Sequence, residues 1–246
     1  MKFTTSSRSK VDSKVLFLLK HLLHVDILVP GPYGSTSRSN QMPRPRYTKA
    51  SPQLKEALME AAIEEFAKRG YEAASLNRII REAGLSKGSF YYYFDDKADL
   101  AATVMVQVSQ RLMPSLDLDA IADVAGFWVA MDRFGRDSLE LTARNPTLLE
   151  ATSKLGVAYL EHPEFAQKMR EHLGEIMGLA LAAWRRGQEL GAVRKDLSVE
   201  VLMAIMTGTK EALFKVRFPR DRSLTVEELD ELTHLQLDLF RRISTP

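Results

Sequence analysis

The chain has 246 residues, of which 45% are hydrophobic and 27% charged, enough for a sizeable core and one or two globular domains. It holds no cysteine, which excludes disulfides, thiolate catalysis and cysteine-ligated zinc or iron–sulfur centres and suits a reducing cytoplasm; five scattered histidines offer little to a metal. The net charge of +2 is unevenly spread: Lys2, Arg8, Lys10, Lys14, Lys20 and Arg38 against Asp12 and Asp26 give residues 1–41 a charge of +4, so residues 42–246 sum to −2 and the body is mildly acidic.

The front end comes first in the chain. Val15 to Val29 is apolar in patches, but Lys20, His21, His24 and Asp26 interrupt it, well short of the roughly 20 apolar residues a membrane span needs. No small-x-small cleavage site follows it cleanly. Gly31 to Asn40, rich in Gly, Ser, Pro and Thr, has the composition of a linker. Residues 1–41 are expected to be either a misassigned extension or a disordered arm, with Met42 as the start in the first case. Residues 42–50 form a basic arm carrying Arg44, Arg46 and Lys49.

From Ser51 onward apolar residues recur at spacings of three and four, and no stretch alternates over strand length, so the fold class is all-α. Ser51 caps a first helix with Pro52 at its first position; Leu54, Leu58, Ala61, Ala62 and Phe66 line one face and Gly70 ends it. Ser75 begins a second helix, with Leu76, Ile79, Ile80 and Ala83 inward, closed by Gly84. Ser86 begins a third, short helix through Phe94, and Asp95 or Asp96 caps a fourth from Lys97 to about Met113, stopped by Pro114.

The next segment, about Asp119 to Ala143, precedes two helices that start in a cap-then-proline style at Asn145-Pro146 and His162-Pro163. The helix from Pro163 ends at Gly191. Helices from about Ser198 to Val216 and from Val226 to Arg242 complete the chain, the last opened by a Thr225 and Glu228 capping box.

The third segment, Gly84-Leu85-Ser86-Lys87-Gly88-Ser89-Phe90-Tyr91-Tyr92-Tyr93-Phe94, carries the functional argument. Phe90 and Phe94, four apart, can anchor the helix, leaving Lys87, Ser89, Tyr91 and Tyr92 on outward faces. Half-buried packing is the alternative use for each tyrosine. A helix that enters a DNA groove explains the whole string: Gly88 admits close backbone approach, Ser89 and the tyrosine hydroxyls donate to phosphates, and Lys87 adds charge or reads guanine.

This string, with the following Asp-Asp-Lys-Ala-Asp-Leu, resembles the recognition-helix signature of the TetR/AcrR family of transcriptional regulators, and the resemblance runs from Ser51 to about Leu100. It implies a helix-turn-helix head over residues 51–97 and a helical ligand-binding and dimerisation domain over 98–246. Lys87, Gly88 and Ser89 would form the tip of the recognition helix with Tyr91 near bases or backbone. Tyr92, Tyr93 and Lys97 would contact phosphates, Ser75, Asn77 and Arg78 would lie against the backbone, and Arg44, Arg46 and Lys49 would reach the minor groove or flanking phosphates.

The resemblance further implies a homodimer on a palindromic operator, most simply a repressor released by a small apolar or amphipathic ligand. Leu202, Ile205, Met206, Gly208, Leu213, Leu232, Leu235 and Leu239 on the last two helices would build the dimer interface, with packing inside one chain as the alternative. Trp128, Met131, Phe134, Tyr159, Met169, Met177 and Trp184 are candidate pocket residues, although such side chains at helical spacing also make ordinary core. No cofactor or metal is expected. The chain carries no glycine-rich phosphate loop, nucleophile elbow or His-Glu-x-x-His, so no enzyme is expected either. The competing reading is a protein with the same head but no small-molecule ligand, serving architecture or cell-division control.

Overall fold

The computed structural model describes residues 10–11, 45–217 and 224–246, and within these ten helices and one minimal strand pair. The helices are α1 (Pro45–Thr48), α2 (Pro52–Ala73), α3 (Leu76–Glu82), α4 (Lys87–Tyr93) and α5 (Lys97–Leu112), followed by α6 (Val124–Arg144), α7 (Pro146–Glu161), α8 (Pro163–Leu190), α9 (Val199–Arg217) and α10 (Val226–Ser244). The chain is all-α, as its periodicity predicts. One departure is β2 (Leu224–Thr225), which pairs antiparallel with β1 (Lys10–Val11), Lys10 opposite Thr225. A two-residue strand has no alternation to read in a sequence, and it leaves the fold class unchanged. Residues 1–9 and 12–44, with Met42 and Arg44 among them, and the side chains of the Thr225–Glu228 box, lie outside the described residues.

Side-chain caps set most boundaries. Ser51 Oγ accepts from Leu54 N–H (3.3 Å), Ser75 Oγ from Arg78 N–H (3.3 Å), Ser86 Oγ from Ser89 N–H (3.0 Å) and Asp96 Oδ1 from Asp99 N–H (2.8 Å), each satisfying a donor that the first helical turn leaves open. Two starts differ from expectation. Asp117 accepts from the N–H groups of Asp119 and Ala120 (3.1 and 3.3 Å) and holds that stretch as a turn, so α6 begins only at Val124, with Asp123 Oδ1 accepting from Gly126 N–H (2.7 Å). Asn145 makes no side-chain cap on α7; its amide donates back to Leu141 O (2.7 Å).

The contacts divide the chain into two compact units, residues 30–114 with 141–181 and residues 1–29 with 115–140 and 182–246, the boundaries falling inside α6 and α8. In the first unit α5 is the central helix, buried from Ala98 to Val106. Leu58, Ile63 and Phe66 of α2, Ile79 of α3 and Phe90 of α4, all buried, complete the core of the head. The outer side of α2 packs along α7, where Lys154 donates to the carbonyl oxygens of Ala67 and Lys68. Those carbonyls need a partner because Gly70, at φ 72°, breaks the helix just beyond them.

In the second unit Phe127 meets Trp128 and Trp184 edge-on at 5.1 and 6.3 Å, and Trp184 meets Phe240 at 6.1 Å. Gly187 of α8 lies directly against Phe127: a Cβ there would stand 2.6 Å from the ring. Arg194 ties the end of α10 down, its N–H donating to Ser244 O (2.7 Å) while its guanidinium pairs with Asp196.

Candidate nucleic-acid interface

The turn between α3 and α4 is built by the backbone. Gly84 N–H donates to Arg81 O (3.0 Å) and Leu85 N–H to Ile80 O (2.9 Å), the paired bonds of a Schellman stop, which needs a left-handed residue at Gly84 (φ 68°). Two residues later Ser86 starts α4, so a short turn joins α3 to α4 as the two helices of a helix-turn-helix. Phe90 and Phe94, four apart and fully buried, stack at 5.5 Å and fix the rotation of α4.

That rotation decides what faces out. Lys87 and Gly88 are exposed, Tyr91 and Tyr92 are 51% and 49% exposed, and Ser89 and Tyr93 are half-buried. Ser89 Oγ is 2.8 Å from Ser86 Oγ, at the N-terminal tip. A helix face with a lysine, a glycine and two half-exposed phenols supplies donors and close backbone approach but almost no apolar packing surface, which is what a helix seated in a groove requires. Asn77 is exposed on α3, and Lys49 and Arg46 are exposed in the arm.

Lys97, expected at a phosphate, and Arg78, expected against the DNA backbone, make polar contacts within the head. Lys97 Nζ donates to Tyr71 O (2.7 Å) and Glu72 O (3.1 Å) and lies 4.6 Å over the Tyr71 ring, so it closes the end of α2 instead of reaching outward. Arg78 points its guanidinium at Glu65 (3.3 Å to both oxygens). Ser75 is taken up with capping α3, and its backbone N–H also donates to Glu65 (2.9 Å).

Glu65 and Tyr47 are the residues that the sequence reading passes over. Glu65, 5% exposed, joins α2 to the start of α3 through Ser75 and Arg78 and also pairs with Arg69 (3.4 Å). Its only sequence signal is a charge on the inward side of a helix. Tyr47, 4% exposed, inserts from the arm against Tyr93 (6.2 Å, edge-on) and Phe94 (4.8 Å). Burial pushes its hydroxyl up to about 12, with Arg111 pulling weakly the other way.

The far end of the head is anchored to the corner between α7 and α8. Tyr71 stacks on Phe165 at 5.2 Å, and its hydroxyl donates to Glu164 (3.5 Å). His162 sits 4.7 Å from the same ring, between Glu72 and Glu164, and so is a packing residue at this corner as well as the residue that ends α7. Burial, and then the Glu164 carboxylate, hold the Tyr71 hydroxyl far above the usual tyrosine range.

The profile of the bacterial regulatory proteins of the tetR family matches residues 58–104, the span from α2 into α5. The chain is 30% identical over 154 residues to the HTH-type transcriptional repressor SCO4008 of Streptomyces coelicolor, covering 62% of this chain and 73% of that protein. The chain belongs to the TetR family. As a TetR-family protein it is a DNA-binding transcriptional regulator, and α3 and α4 are its helix-turn-helix. Solved structures with the same fold include the fatty acid degradation regulator FadR of Bacillus halodurans, at a TM-score of 0.52 and 20% identity over 76% of this chain and 97% of that one. Another is FadR of Bacillus subtilis in complex with stearoyl-CoA, at 0.50 and 18% identity over 76% and 97%.

The remaining candidate residues of this TetR-family regulator fall as follows. Trp128, Met131, Phe134 and Trp184 lie in the unit of residues 115–140 and 182–246; Tyr159, Met169 and Met177 lie in the other, the Met177 side chain outside the described residues. Trp128 and Trp184 are buried in the Phe127 cluster, with Arg241 5.6 Å over the Trp128 ring. On α9, Leu202 is 2% exposed and therefore belongs to the chain's own core, which removes it from the expected interface. Ile205, Met206, Leu213 and Leu239 are half-buried, Gly208 and Leu235 are exposed, and the Leu232 side chain lies outside the described residues. Among the described residues no helix is long and apolar enough to cross a membrane.

Proposed function

We propose that this protein is a repressor that binds a palindromic operator as a homodimer through the exposed face of α4 and leaves it when a small apolar or amphipathic ligand binds the helices beyond the head. The observation that carries the DNA-binding surface is the outward face of α4, where Lys87, Gly88, Tyr91 and Tyr92 stand exposed while Phe90 and Phe94 lock the helix from behind. The repressor named among its relatives supports the direction of control.

The dimer reading draws on the half-buried Ile205, Met206, Leu213 and Leu239 with exposed Leu235, and on open space around Gly208 for a close helix approach. Two recognition helices related by a two-fold axis would then meet successive half-sites. The ligand reading is supported by a same-fold regulator solved with stearoyl-CoA. A ligand acts only through a difference in affinity between the DNA-competent and incompetent arrangements.

Selection of bound genomic fragments by the purified protein, with and without long-chain acyl thioesters, tests this reading. Recovery of a palindromic motif that is lost on adding the ligand is the expected result. A motif indifferent to every acyl ligand would turn the reading toward a ligand-free regulator. In the same assay, Lys87→Ala and Tyr91→Ala should each weaken binding with thermal stability near wild type.

A further inference from the structure

Residues 45–48 form one four-residue helical turn, far too short to hold itself together in water. Something else must fix it. Tyr47 is buried against Tyr93 and Phe94, at the C-terminal end of α4. Lys55 Nζ of α2 donates to Thr48 O (2.6 Å) and lies 5.9 Å from the Tyr47 ring, and Ala50 N–H donates to Tyr47 O (3.0 Å). With Tyr47 seated, the Arg46 guanidinium lies 4.5 Å over the ring of Tyr92, the half-exposed tyrosine on the outward face of α4.

We infer that Tyr47 is a positioning residue for DNA binding: it pins the basic arm to the recognition helix, so that Arg46 and Tyr92 form one fixed contact for a backbone phosphate of the duplex. A basic arm on a free tether would lose conformational entropy each time its cation met a phosphate. Here the tether is already ordered by a buried ring. The cation keeps its donors for the phosphate because the contact with Tyr92 is made through the ring face, leaving the guanidinium edge to hydrogen-bond outward. Tyr47 is covered by protein on all sides and touches no DNA. This inference rests on the assignment of α4 as the DNA-contacting helix.

The test is a double-variant cycle on the full chain with a mixed-sequence DNA duplex, whose binding is set by phosphate contacts and needs no known operator. Affinity is measured across a series of salt concentrations for wild type, Arg46→Ala, Tyr47→Ala and the pair. Arg46→Ala is expected to weaken binding several-fold and to lower the slope of log affinity against log salt by about 0.9 per arm. Tyr47→Ala should do the same without removing a charge, the pair should be no worse than either alone, and Tyr47→Phe should restore wild-type behaviour. Should Tyr47→Ala fail to fold, Tyr47→Leu, which removes the ring set against Tyr93 and Phe94 at a smaller loss of buried volume, takes its position in the cycle.

If Arg46→Ala costs the same in both backgrounds, or Tyr47→Ala leaves the slope unchanged, the arm works without its anchor and the inference is overturned. Lys87→Ala and Tyr91→Ala on the same duplex separate this from the larger question. Their loss of binding beside an inert Tyr47 would discard the anchor and keep the recognition helix; if they too are inert, the helix assignment itself fails and the anchor falls with it.

Discussion

Lys97 Nζ, in the first turn of α5, donates to the carbonyl oxygen of Tyr71 at 2.7 Å, across the break in α2. The same ammonium reaches Glu72 O, so one side chain closes the last turn of α2 beyond Gly70. This is a structural use for a lysine that a sequence pattern marks as a phosphate contact. Lys97→Met keeps the aliphatic stem and removes the donors. It should lower stability by about 1–2 kcal/mol in chemical denaturation. The salt dependence of binding to a mixed-sequence duplex should stay at the wild-type slope, and a fall of about one unit per protomer would return Lys97 to the DNA surface.

Glu65 gives a second test of what holds the head together. Its carboxylate receives the Ser75 N–H and the Arg78 guanidinium from α3 while buried in α2. Glu65→Ala leaves the Ser75 N–H without this acceptor and is expected to cost about 2 kcal/mol. Unfolding followed by far-ultraviolet circular dichroism measures it. A change below about 0.5 kcal/mol would mean that Ser75 and Arg78 hold α3 in place without the carboxylate.

The contrast between Lys97 and Glu65 shows which parts of the molecule were readable from its residues. Elements were legible because helix starts are local chemistry: Ser51, Ser75, Ser86 and Asp96 each cap the turn that follows them, and Phe90 with Phe94 declares the inner face of α4. Contacts between elements were not. Lys97 and Tyr71 are 26 positions apart, and nothing near either residue announces that α5 begins beside the end of α2. Tyr47 was hidden for a related reason, since a tyrosine in a basic arm has the composition of a solvated tail and only the position of α4 gives it a place to insert.

Gly88 separates a fold requirement from a functional one. A Cβ at this position would meet nothing closer than Ser86 Oγ at 3.8 Å, so the helix has room for alanine. Gly88→Ala is therefore expected to be neutral or to stabilise by up to about 1 kcal/mol, through the lower conformational entropy of the unfolded chain. DNA affinity should move the opposite way, because the added methyl stands on the exposed face where the backbone would approach a phosphate. A variant that melts no lower but binds several-fold more weakly fits this account; unchanged affinity would remove Gly88 from the contact surface.

Gly187 is the reverse case. A Cβ there would sit 2.6 Å from Phe127 Cζ and 2.7 Å from Val193 Cγ2. Phe127 is fully buried between Trp128 and Trp184, leaving it little freedom to retreat. Gly187→Ala should cost about 1–3 kcal/mol by overpacking, read as a lower melting temperature. Tryptophan fluorescence should shift with it, since both indoles belong to the cluster that must move.

Alkaline pH addresses the arm directly. Burial raises the Tyr47 hydroxyl from 10.0 to about 12, so the folded state holds its proton where the unfolded chain releases it. Between these values the unfolded chain binds fewer protons than the folded one, and stability must fall as pH rises. The contribution is complete below pH 10 and is lost as pH climbs through about 12. Tyr71 is shifted in the same direction, so both act together in the wild type. Tyr47→Phe removes one of the two ionisations, and its melting temperature should decline less steeply across this window. A phenolate absorbance titration supplies the matching count, with one fewer late-ionising tyrosine in the variant than in the wild type. Superimposable melting curves, with the missing phenolate lost from the step near pH 10 and not from the late one, would show that Tyr47 ionises like a solvent-exposed phenol, and the arm would then not be seated against α4 in solution.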